Sequence, residues 1–175
     1  FVFAETSNAV HGDKATPLAG TPRLAASDWV LFGARMTAVA DYIESQGLKF
    51  AYHHHLGTVV ENASDLQAFI DNTGPSVGLT LDTGHAALGG IDSLEVIRNH
   101  PQRVAVEQCP PGAVFTVPGD GGLDYAEIMR ALKSIDYSGW IVIEAEQDPR
   151  LADPRTYAAL GLKTLQDEAA RAGLQ

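Results

Sequence analysis

Three consecutive histidines, His53-His54-His55, stand in an otherwise apolar stretch between Phe50 and Leu56. Imidazole is a good ligand for divalent metals, and its pKa of about 6.5 also suits it to moving protons near neutrality. Leu48 to Tyr52 reads as a short buried strand. Side chains alternate along a strand, so His53 and His55 point one way with Ala51, while His54 points the other way with Phe50 and Tyr52. Two histidines on one face can share a metal, or one can ligate while the other takes a proton. A purification tag does not suit an internal position between a strand and the Gly57-Thr58 turn.

The same coupling of strand end and reactive side chain recurs along the chain. Phe1 to Ala4 reads as a buried parallel strand ending at Glu5, Val77 to Leu81 as another ending in Asp82-Thr83-Gly84-His85, and Gly139 to Ile143 as a third ending in Glu144-Ala145-Glu146. Helices fall between them. Ser27 is the expected cap of one carrying Trp29, Phe32, Gly33, Met36, Ala40 and Ile43 on one face, with Gly47 as its stop. Ser64 is the expected cap of a shorter one with Leu66, Phe69 and Ile70, Asp92 or Ser93 begins a third closed by His100-Pro101, and Asp124 with Glu127 caps a fourth. Asp153-Pro154 opens the last, which runs to Gly173.

Thr6 to Arg23 is a loop, with His11 as a solvated residue in it, and Pro118 to Gly122 is a tight turn rather than a phosphate cradle. Arg103-Val104-Ala105 starts like a strand, but Val106-Glu107-Gln108-Cys109-Pro110-Pro111 is not expected to continue as a central one, because proline cannot donate to a ladder. Alternating strands and helices predict a parallel sheet, and reactive groups gathered at the carboxyl ends of its strands are the arrangement of a (β/α) barrel.

Composition narrows the partners. The 175 residues are 45% apolar and 19% charged, as in one ordinary domain spanning 1–175. A net charge of −10 and a pI near 4.8 disfavour nucleic acid and anionic membranes. Cys109 is the single cysteine, so no intrachain disulfide forms, and a reducing cytoplasm is expected. No apolar run approaches the roughly 20 residues of a membrane span, and no basic signal-peptide start precedes the first strand.

Tyr52-His53-His54-His55-Leu56-Gly57-Thr58-Val59-Val60-Glu61, Leu81-Asp82-Thr83-Gly84-His85-Ala86, Phe115-Thr116-Val117-Pro118-Gly119-Asp120-Gly121 and Gly139-Trp140-Ile141-Val142-Ile143-Glu144-Ala145-Glu146-Gln147-Asp148-Pro149 resemble the xylose-isomerase-like family of metal-dependent (β/α)8 TIM barrels, and within it the inosose dehydratase branch. The resemblance covers nearly the whole chain, which would be the later part of a barrel of about 250 residues. It implies a divalent metal, Mn²⁺ or Co²⁺ in the first place and Zn²⁺ or Mg²⁺ as alternatives, held by His53, Asp82 and Glu144. Asp82 stands at the family's aspartate and Glu144 at its last glutamate, while His53 stands where sugar epimerases carry a glutamate. His55 matches a catalytic base, His85 a substrate contact, and Glu61 a residue reaching a substrate hydroxyl; Glu5 is a further candidate substrate contact.

Two departures accompany the resemblance. The barrel's first strands are absent, and so is the family's His-x-His-x-Lys-Asp strand, which would follow Ala105 and bring a further ligand. A gap at 105/106 is therefore expected. The implied activity is a hydro-lyase acting on a keto-cyclitol, 2-keto-myo-inositol first, in inositol catabolism. His55 would take the proton alpha to the carbonyl, and Glu146 or His85 would protonate the departing hydroxyl. The alternatives are a sugar isomerase or epimerase of the same fold and a non-catalytic truncated barrel that binds sugar or a partner subunit; a metal-dependent repair nuclease is disfavoured by charge. The expected partners are a small cyclitol or sugar and, in a homo-oligomer, further copies of the chain.

Overall fold

The computed structural model describes residues 1–7, 9–10, 17–109, 116–145 and 147–174; His11, Phe115 and Glu146 lie outside them. Its strands are β1 (Val2–Phe3), β2 (Phe50–His53), β3 (Val77–Asp82), β4 (Val104–Cys109) and β5 (Trp140–Ile143). The helices are α1 (Ala26–Ser45), α2 (Ala63–Asn72), α3 (Thr83–Leu88), α4 (Ser93–Asn99), α5 (Tyr125–Ser134) and α6 (Pro154–Ala172). All five strands are parallel and lie in the order β1-β2-β3-β4-β5, the open half of a barrel with its helices on one side. No helix among the described residues is long and apolar enough to cross a membrane.

Caps fix where the helices begin, and two differ from expectation. Asn62, not Ser64, caps α2: its side chain accepts the Asp65 N–H at 3.0 Å while Asp65 accepts the Asn62 N–H at 3.3 Å. Ser64 is already the second residue of the helix, and its hydroxyl bonds the Asn62 side chain instead. Likewise α1 begins after Ala25, whose N–H meets the Asp28 carboxylate, so Ser27 is already helical. Asp92, Asp124 and Asp153 cap α4, α5 and α6 as their sequence positions suggest. The six-residue α3, too short to show a helical period, starts directly from Asp82.

The core lies between sheet and helices. Tyr52 on β2 stacks on Phe69 of α2 with ring centroids 4.3 Å apart and meets Phe32 of α1 edge-on at 6.1 Å. Gly33 lets α1 and α2 approach, since a Cβ there would fall 2.1 Å from the Asn72 carbonyl oxygen. Register then assigns faces: Tyr52 pairs with Leu79, placing Leu79 and Leu81 on this helix-covered side, while His53 pairs with Thr80, placing Thr80 and Asp82 on the concave side. Arg103, buried just before β4, donates to the carbonyls of Gly74, Thr73 and Val77 and so ties the end of α2 to the start of β3.

Three expectations about strands are corrected. Val106 to Cys109 does form a central strand: β4 pairs with β3 on one side and β5 on the other. The register slips by one residue within it, Leu79 facing Val104 but Thr80 facing Val106, so Ala105 is a bulge. The first and last strands were expected to be buried, yet both are edges of the sheet. The concave-face side chains Val2 and Trp140 are accordingly 49% and 78% exposed.

Candidate functional site

Three strand-end segments converge at the carboxyl end of the sheet. Asp82 closes β3 on its concave face, and its Oδ1 accepts the His85 N–H at 2.7 Å, the cap that starts α3 and turns His85 back over the strand. Its Oδ2 lies 3.1 Å from His53 Nε2 and 3.9 Å from His85 Nε2. One potential ligand atom from each of His53, Asp82 and His85 falls within 4.8 Å of the others. Burial pushes the Asp82 carboxyl above its usual range; the His53 and His85 hydrogen bonds oppose this, and the charge of Glu144 adds to it.

His55 extends the group. Its Nδ1 lies 2.6 Å from the Leu56 carbonyl oxygen, which can only accept, so Nδ1 carries the proton and Nε2 is the basic nitrogen. Its ring lies against that of His85, centroids 3.6 Å apart and planes inclined at 42°, and meets His53 nearly edge-on at 5.6 Å. The loop that presents it is pinned locally: Thr58 Oγ1 donates to the His55 carbonyl at 2.7 Å, and the His55 N–H donates to Val60. Gly57 turns the chain there with φ 74°, a conformation that favours glycine.

The structure therefore brings four of the sequence candidates together: His53, His55, Asp82 and His85. Within the group that could hold a metal His85 stands beside His53 and Asp82, while half-buried Glu144 acts on Asp82 through its charge from just outside it. Glu61 sits elsewhere. Its Oε2 accepts from Thr21 Oγ1 and from the Gly57 N–H, both at 2.7 Å, and its Oε1 accepts from Arg23 at 2.8 Å, so it clamps the loop before α1 onto the histidine loop. Glu5 receives the Ser7 N–H at 2.7 Å through Oε1 and lies close enough to raise the Tyr52 hydroxyl pKa beyond what burial does.

Two buried groups had no role assigned from sequence. His54, on the helix-covered face, accepts the main-chain N–H of Asp82 at 3.3 Å through Nε2. Glu107 is fully buried on β4, and neither carboxyl oxygen has a hydrogen-bond partner among the described residues. The face alternation that placed His53 and His55 together also implied an inward His54; only the three-dimensional register shows what it touches.

Two nitrogens and one carboxylate oxygen form a donor set that first-row divalent ions favour, and three protein ligands leave coordination positions for water or substrate. The buried negative charge of Asp82 suits a cation in the same place.

A sequence model of the xylose isomerase-like TIM barrel matches residues 6–168. The rhizopine catabolism protein MocC of Rhizobium meliloti is 35% identical over 195 residues, covering 99% of this chain and 60% of its own length. An inosose dehydratase of Geobacillus thermodenitrificans is 33% identical over 180 residues, covering 90% and 60%. The chain thus spans about 60% of the length of these curated relatives, and the MocC match extends over more residues than the 175 present here. Among solved structures, an L-ribulose 3-epimerase superposes with a TM-score of 0.73 at 19% identity, covering 86% of this chain and 57% of the other. The IolI protein with a bound zinc atom superposes with a TM-score of 0.64 at 20% identity, covering 84% and 57%. The open half-barrel is that of the xylose isomerase-like TIM barrel family, to which this chain belongs.

Proposed function

We propose that the chain carries the metal-dependent site of a hydro-lyase acting on a keto-cyclitol, with 2-keto-myo-inositol as the first substrate to test. One observation carries the reading: His55, with its basic nitrogen defined by the Leu56 carbonyl, lies with its ring centroid 3.6 Å from that of a histidine of the His53–Asp82–His85 group. The inosose dehydratase relatives support the substrate class. His53, Asp82 and His85 would hold the ion, with Glu144 near enough to join them. A divalent ion bound there supplies Lewis-acid polarisation of a ketone oxygen.

The chain's own residues do the rest. His55 Nε2 removes the proton from the carbon alpha to the carbonyl, Glu146, or His85 if Glu144 takes its place at the ion, gives a proton to the departing β-hydroxyl, and water leaves. Glu5 and Glu61 would read substrate hydroxyls from the loops before α1 and α2. The test offers keto-inositol and free ketoses in D₂O with Mn²⁺. Loss of water from the cyclitol is expected. Deuterium entering a ketose without loss of water would replace this reading with the epimerase one, whose fold is shared.

A second reading has its own observations: a strand has been lost at 105/106, leaving a site short of a ligand and fit only to bind. The bulge at Ala105, the unpartnered Glu107 beside it and the longer span of the MocC match all support this. Under it, metal and cyclitol bind but no water is eliminated.

A further inference from the structure

Asp82 is held at three points. Its carboxylate accepts from the His85 main chain at 2.7 Å and meets His53 at 3.1 Å, and its own N–H donates to His54 Nε2 at 3.3 Å. β2 ends at His53, so just where the strand leaves the sheet an imidazole takes up the neighbouring strand's N–H. Because that N–H donates, Nε2 is the unprotonated nitrogen and the proton sits on Nδ1, which has no partner among the described residues. Burial, with His53 and His55 nearby, pushes the His54 pKa down to about 3, so the neutral ring persists through the neutral range.

A fully buried imidazole with one unpaired N–H is a costly way to fill space. Leucine or phenylalanine would fill this side, among Phe50 and Tyr52, more cheaply. What they would not supply is the acceptor. We infer that His54 is a positioning residue for the His53–Asp82–His85 group, fixing from the opposite face of the sheet the main chain of Asp82, and with it both the carboxylate and the start of α3 that carries His85. The inference rests on reading that group as a metal site.

The test compares His54→Gln, whose amide oxygen can replace Nε2 as acceptor, with His54→Leu. Co²⁺ affinity is read by competition with a chromophoric chelator, and ligand geometry by the visible absorption of the bound ion. His54→Gln is expected to stay within about 3-fold of the parent, and His54→Leu to weaken binding by about 10–100-fold, as loss of an outer-shell partner does, with a changed absorption band. The reverse order, Leu retaining affinity and Gln losing it, would overturn the inference, since that is how a core-filling residue behaves. ¹⁵N-histidine NMR on the unaltered chain decides the matter even where His54→Leu does not fold: neutral His54 protonated on Nδ1 and coupled through Nε2 to the Asp82 amide is expected, and the opposite tautomer overturns it. A chain that takes up no Co²⁺ but shows that coupling would refute the metal reading while keeping His54 as the holder of Asp82.

Discussion

Asp82 and Glu107 are fully buried carboxyls near the ends of adjacent strands, and the sheet treats them in opposite ways. Asp82 is on the concave face, with its oxygens engaged by His53, by the His85 main chain and at longer range by the His85 ring. Glu107 pairs in register with Leu81 and Ile141 and so shares the helix-covered face, where it meets no donor among the described residues. Burial, and then the charge of Asp82, push its pKa well above the usual carboxyl range. A buried acid provided with donors marks a site built to hold charge. A buried acid without them marks a local conflict between sequence and slot, here one residue beyond the valine where the register has slipped.

The largest expected effect comes from breaking the provided-for side of this comparison. Asp82→Asn keeps an acceptor for the His85 N–H but removes the charge. Divalent-metal affinity is expected to fall by about 100-fold or more, at the upper end of what even outer-shell changes produce, and any elimination of water with it. Chelator competition and the keto-inositol assay measure the two losses. Glu107→Gln should change neither; if it weakened metal binding as much as Asp82→Asn, Glu107 would belong to the site and the contrast would collapse.

The Asp82 side was legible from sequence because local rules govern it. Strand parity put His53 and His55 together, and the strand ending in Asp82-Thr83-Gly84-His85 put Asp82 and His85 at a neighbouring strand end; that Asp82 also caps α3 is visible only in the structure. The Glu107 side was not. Pro110 and Pro111 suggested that no central strand could form at Val106–Cys109, whereas one does; the pairing is set by β3 and β5, distant in sequence. Nor could apolar Gly139–Ile143 show that its strand would be an edge, since a side chain such as Trp140 reads the same whether or not a neighbour covers it. The partners that hold Glu61, Thr21 and Arg23, lie about forty residues upstream, beyond any local pattern.

Next in size is relief of the conflict. Glu107→Met matches the side chain in length and removes the unpaired polar atoms, so unfolding in urea is expected to need about 1–3 kcal/mol more than in the parent. A loss of stability instead would mean that Glu107 has a donor in the folded chain.

A smaller effect follows from pH. The folded chain keeps Glu107 protonated above pH 4.5, its ordinary pKa, while the unfolded chain has already released that proton. The folded state therefore binds more protons, and this residue's contribution to stability declines as pH rises from about 4.5 toward the raised folded value, with a slope of at most about 1.4 kcal/mol per pH unit. Urea midpoints of the parent and of Glu107→Met across this range should diverge with rising pH; parallel curves would place the folded pKa of Glu107 near its ordinary value.

The smallest expected change separates charge from polarity. Glu107→Gln cannot ionise, yet it leaves an amide as poorly provided with partners as the protonated acid it replaces. Near pH 4.5, where Glu107 is protonated in the folded chain, the two should be equally stable to within about 0.5 kcal/mol, the range of a near-neutral substitution. As pH rises the parent should lose stability relative to Glu107→Gln, because only the parent must hold a proton against its release in the unfolded chain. A Gln variant already more stable than the parent at pH 4.5 would show that the cost lies in the shape of the slot around β4 rather than in the proton, moving the conflict from Glu107 to the bulge at Ala105.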